Sequence, residues 1–180
     1  RVFLYLTESN HTLEILELLA NDQSTTPPYV IKELASWDTG APFKWLAANQ
    51  LAILYPDKIQ FVDFTDFESP KTLAEIPIVG ATDLLQVGQY VYISRSGAID
   101  ILNPSNFNVT SSVRLGHAFS FLGIQETPLK TSVILGLKDQ GESIERIELL
   151  EVYSDGSAIK DLGDFINLSQ PFGSVQYSPK

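Results

Sequence analysis

Cysteine is absent from the 180-residue chain, which excludes a disulfide framework, thiolate zinc sites and cysteine nucleophiles together and leaves the redox compartment open. Histidine is scarce. His11 and His117 are the only two, so a histidine base or a histidine-rich metal site would have to use them. Neither stands at a recognisable spacing from a nucleophile, and both are expected as loop residues. Basic charge is also in short supply, with 12 Lys and Arg against 22 Asp and Glu for a formal net charge of -10. That surplus repels phosphate backbones and anionic lipid surfaces, so neither nucleic acid nor membrane is an expected partner. No apolar run approaches the roughly 18 to 20 residues of a spanning helix. No basic n-region or small-residue cleavage site precedes Arg1-Val2-Phe3-Leu4. Opening without Met and directly in a strand-like run, the chain reads as a mature chain or an excised part of something longer. G-x-S-x-G, H-E-x-x-H, the P-loop and G-x-G-x-x-G are all missing, so no cofactor is expected.

What the chain does have is a repeat. LEILE at 13–17, IQFVD at 59–63, IDILN at 99–103 and IELLE at 147–151 share one template: an aliphatic, an acid or amide, two apolar positions, and a second acid or amide. Each copy follows another strand-like run and a turn, as in "LAILYPDK" and "YVYISRSGA", so each pair reads as a hairpin. A further strand follows each copy, with 31–34, 73–76, 112–115 and 159–162 in equivalent places. Between units, "PFKWLAA", "ATDLLQV" and "AFSFLGI" supply a first strand for the next unit, and "FGSVQYSPK" supplies a spare one.

Four strands per unit of about 45 residues is the period of a propeller blade. The predicted fold is therefore all-β, a β-propeller of four blade-like repeats, either closed as a four-bladed ring or part of a larger one. The units are placed at about 1–42, 43–79, 80–117 and 118–171 of one propeller domain or segment, with 172–180 a further innermost strand. A two-layer sandwich would also suit many short strands, but it does not require the same template at each interval. The helical period of "TLEILELLAND" is overruled by its aligned copies, which are β-branched or aromatic and end in turn residues.

The stretch "VGQYVYISRSGAIDILNPSNFNVTSSVRLG" resembles the LVIVD and YVTN type of propeller repeat, in which a V-x-G-x-x-x-Y-V strand precedes a turn and a G-x-x-I-x-D-x-S-x-P strand. "KIQFVDFTDFESPKTLAEI" is similar to the same repeat, with Asp63, Asp66 and Pro70 where its D-x-S-D-P-x-x-P run falls. The resemblance is best over 57–116 and extends to the other units through LEILE and IELLE. It implies a binding or adhesion propeller, extracellular or envelope-associated, without shared catalytic residues.

Propeller function sits on the loops of one face, because the blades are structural. The candidate binding residues are Trp37, Asp38, Arg95, His117 and His11, which gather the few aromatic and basic side chains of an acidic surface. Trp37, inside "SWDTGAP", is expected to be exposed, whereas Trp45 and Phe119 read as core residues of first strands. Asp57, Asp63, Asp66 and Glu68 could suggest calcium, but they form no Asp-x-Asp-x-Asp-Gly loop and read as solvated turn carboxylates. Three sequons, at Asn10, Asn108 and Asn167, are expected at loops or turn edges and point to the extracellular space or the secretory lumen. The expected function is a binding or scaffold propeller engaging a protein or glycan partner, with the rest of a larger chain as another possible neighbour. The alternative is a propeller hydrolase or lyase with an acid, histidine or metal site at the central channel.

Overall fold

The computed structural model describes residues 2–7, 11–20, 29–46, 49–115, 118–126, 131–138, 144–152 and 159–172, and every regular element among them is a strand. The first sheet is formed by β1 (Val2–Thr7), β2 (Thr12–Ala20) and β3 (Tyr29–Asp38), in that spatial order. The second holds β4 (Phe43–Trp45), β5 (Gln50–Leu54), β6 (Ile59–Asp63) and β7 (Lys71–Ile76). In the third are β8 (Ala81–Val87), β9 (Tyr90–Arg95), β10 (Ala98–Asn103) and β11 (Asn108–Arg114). The fourth is made of β12 (Ala118–Glu126), β13 (Thr131–Lys138), β14 (Ile144–Val152) and β15 (Ile159–Phe172). Within each sheet, neighbours in space are neighbours in sequence.

The four template copies fall in β2, β6, β10 and β14, each the next-to-last strand of its sheet. TLEILELLA is a nine-residue strand; its apolar positions serve the pleat rather than a helical stripe. The template also dictates how sheets stack. Leu13 and Ile15, the first and third template residues of β2, share a core with Val62, the fourth of β6, along with Leu51, Ile53 and Phe64. Ile99 and Ile101, the first and third of β10, share another with Leu150, the fourth of β14, along with Tyr92, Val133 and Leu135. One face of a template strand thus meets the opposite face of the next copy, and the same interface occurs twice. The architecture is that of β-propeller blades.

The chain divides into two compact units: Arg1–Tyr55 with Ile59–Glu75, which carries the first of these cores, and Pro56–Lys58 with Ile76–Lys180, which carries the second. In the second and third sheets the middle strands are buried on both faces, and Leu51, Ala52, Ile59, Phe61, Val91, Tyr92 and Ile93 have almost no accessible surface. Burial on both sides of a sheet is what separates a stacked blade from the half-wet antiparallel sheet that alternation alone would suggest.

Three expectations are corrected. Register sets the fourth template residues Leu16, Leu102 and Leu150 opposite Glu33, Val109 and Asp161, so Val109, not Arg114, stands where Glu33 and Asp161 stand. The stretch 112–115 is therefore not equivalent to 31–34 and 159–162. The physical cause is the end of the template. Asn103 closes its strand with a turn and β11 starts at Asn108, whereas β2 runs on to Ala20 and β14 to Val152 before β3 and β15 start. The second correction concerns Asn167, which lies inside β15 opposite Arg146 and not at a loop or turn edge. Of the extra strand expected at 172–180, Phe172 instead ends β15 opposite Ile144, and 173–180 lie outside the described residues.

Candidate functional site

In the first unit, the β1–β2 turn and the exit from β3 meet through the backbone. Thr39 N donates to His11 O at 3.0 Å, and register brings Asp38 opposite Thr12 and Trp37 opposite Leu13. His11 adopts a φ of 66°, the left-handed conformation that closes a tight turn and that His tolerates better than most residues. The buried Thr39 hydroxyl lies 2.6 Å from His11 O and 2.7 Å from Ala41 O and can donate its proton to either. Tyr55 adds a hydroxyl that donates to Thr39 O at 3.1 Å. Asp38 faces its own turn: its Oδ1 accepts Gly40 N at 2.8 Å, with Gly40 at a φ of 66°, where a side chain would be strained. The structure thus brings His11, Trp37 and Asp38 to one end of the first sheet and shows Asp38 building the turn.

Trp37 remains 37 % exposed. Its ring is fixed edge-on against Phe64, with centroids 5.1 Å apart and planes at 89°, and Phe64 is packed in turn against Trp45 at 5.8 Å and 64°. Trp45 is half-buried, and Phe119 is buried with its ring 5.6 Å from Phe121. Both are packing residues of first strands, as expected.

Arg95 lies in the second unit and is already committed. Its Nε is 2.6 Å from Asp100 Oδ2 and its second guanidinium nitrogen donates to Asp100 Oδ1 at 3.1 Å, with side-chain exposures of 42% and 5%. Arg95 is a candidate binding residue by its place in the sequence, which does not name Asp100 as its partner. An equivalent tie occurs forty residues earlier in the repeat, where Tyr55 OH lies 3.4 Å from Gln60 Oε1. In both blades the residue five before the second template position reaches that position across the hairpin. Gln60 also donates to Thr72 Oγ1 at 3.1 Å, on β7. His117 and Asn10 lie outside the described residues.

The acidic residues around β6 act as turn formers. Asp63 Oδ1 accepts the backbone N–H of Thr65 at 2.8 Å and its hydroxyl at 2.7 Å, and Asp66 Oδ1 accepts Glu68 N at 3.1 Å. These bonds from Thr65, with the charge of Lys71 nearby, hold the Asp63 carboxyl below the usual carboxylate value. The last template residue of the next copy does the same: Asn103 Oδ1 accepts Ser105 N at 2.9 Å. Among the described residues no group of three His, Asp or Glu is placed to share a metal ion.

No family profile matches the sequence, and no curated protein is similar to it. Solved structures with a similar course of the chain include Hsv2p from Kluyveromyces lactis, at 13% identity and a TM-score of 0.48 over 85% of this chain and 44% of that one. A second belongs to the S. cerevisiae structure of Dbp5 bound to Nup159, Gle1, IP6 and ADP, at 14% identity and 0.45 over 90% and 40%. A third is the WD40 domain of SCAP from fission yeast, at 9% identity and 0.38 over 90% and 44%. The chain spans less than half the length of each. It is the sheet order and the repeated interface that assign the fold.

Proposed function

We propose that the chain is a non-catalytic binding module whose loops engage a protein or glycan partner, with Trp37 as the principal contact and His11 and Asp38 shaping the surface around it. The observation that carries this reading is the state of Trp37: a large amphipathic ring, partly open to solvent, already fixed by Phe64 and by the clamped turn beneath it. An aromatic group ordered before binding loses little conformational freedom on contact, which is why Trp is enriched among residues that dominate interface energies. The Asp38 and Thr39 side chains that follow it are engaged in turn hydrogen bonds, which suits a rigid scaffold. Arg95, partly exposed in the second unit, is a separate candidate contact. This reading places the chain in the extracellular space or the secretory lumen, on the strength of the sequons, and among LVIVD/YVTN-type repeats, on the strength of the template and its Asx turns.

The test begins with a photo-reactive amino acid at the exposed position Ser36, to capture and identify the partner. Its affinity is then measured for the native chain, Trp37→Phe and Trp37→Ala, with folding checked by circular dichroism. Trp37→Ala is expected to weaken binding by about 10-fold or more, with Trp37→Phe in between. A folded Trp37→Ala chain that binds the captured partner with native affinity would overturn the reading.

A further inference from the structure

Of the three sequons, Asn108-Val109-Thr110 is the one whose acceptor the fold presents on an open turn edge among the described residues. Asn103 O accepts Phe107 N at 2.8 Å to close a tight turn, and Phe107 takes a φ of 56°. Asn106 Oδ1 accepts Asn108 N at 3.0 Å as the chain enters β11. The backbone at Asn108 is therefore pinned by its neighbours, while Asn108, Val109 and Thr110 are all exposed. β11 is the terminal strand of its sheet, and register slips beside Thr110, whose hydroxyl donates to Ile101 O at 3.1 Å. Such a bulge bends the strand and increases its local twist. Asn167, by contrast, lies within a strand with its backbone opposite Arg146.

We propose that Asn108 is the N-glycan acceptor of this chain. In the transfer, Asn108 Nδ2 attacks the anomeric carbon of a lipid-linked oligosaccharyl diphosphate. The new C–N bond forms as the anomeric C–O bond breaks, the lipid diphosphate leaves with the electron pair, and the amide proton passes to a base of the transferase. A folded acceptor on an exposed terminal strand tolerates the bulky product without displacing core residues. The glycan also covers an open strand edge, a place where chains otherwise pair and aggregate. The inference is independent of the Trp37 reading, since a chain without glycan could still bind its partner.

The experiment takes the full chain from cells that make it naturally and treats it with the amidase that releases N-glycans and converts the carrying Asn to Asp, read by peptide mass. Conversion at Asn108 is expected, with the mobility shift lost in Asn108→Gln and retained in Thr110→Ser, which keeps the sequon. Glycan found elsewhere with Asn108 unconverted, or no glycan at all, would overturn the proposal.

Discussion

A carboxylate buried as deeply as that of Asp100 must keep a cation beside it, because the interior cannot replace the water it has lost. Arg95 fills that need with both prongs of its guanidinium while leaving 42% of its side chain in solvent. The two partners are therefore unequal. Removing Arg95 strands a buried charge, whereas removing Asp100 leaves an Arg that can swing into water. Arg95→Ala is expected to lower stability by about 3 kcal/mol, Asp100→Ala by about 1, and the double variant by less than Arg95→Ala alone. Urea denaturation of the four proteins in a cycle checks this, and an Asp100→Ala chain less stable than Arg95→Ala would reverse the assignment of which partner is buried. The same inequality bars Arg95→Ala as a probe of binding, since lost affinity would report a damaged hairpin. Sequence could not show this, because an Arg beside a Ser-Gly turn looks the same whether it faces solvent or a buried acid.

Each template residue has its own task, and this makes the elements legible. In β2 and β10 positions one and three face the next blade, in β6 and β14 position four faces the preceding one, in β6 and β10 position two ties the hairpin, and position five ends the strand when it is Asp or Asn. The short side chains of Asp63 and Asn103 reach the backbone two residues on, a geometry that suits them and not the longer Glu17 and Glu151. That difference of one methylene was visible in the sequence, yet its effect was not, because strand length and register are settled by pairing with the neighbouring strand. The strand at 13–17 was legible despite its helical period, since three other copies voted for the pleat; the strand around Asn167 was not, since no copy repeats it. Ile101 has no accessible surface and lies between two blades. Ile101→Asp is expected to cost at least about 4 kcal/mol, and Asp66→Asn, which keeps the oxygen that accepts Glu68 N, no more than about 0.5. Similar denaturant midpoints for the two variants would contradict the core assigned here.

At the scale of the whole chain, one interface is used twice, and each use builds a core inside one compact unit. Repeat proteins whose contacts run between neighbours have stabilities that are sums of local terms, so they can open unit by unit. Leu51 lies fully buried in the first core and Leu135 in the second. Truncating either to Ala removes its transfer energy and leaves a cavity, at a cost of about 2 to 5 kcal/mol. If the units open separately, Leu51→Ala accelerates amide hydrogen exchange at Leu13, Ile15 and Ile53 and leaves Tyr92, Ile99 and Val133 protected, while Leu135→Ala does the reverse. The discrimination is internal, because each variant serves as the control for the other and a general loss of fold would affect both sets of amides. Equal acceleration at all six positions in both variants would show that the chain opens as one cooperative body, and that the repeated interface couples all four sheets rather than two pairs.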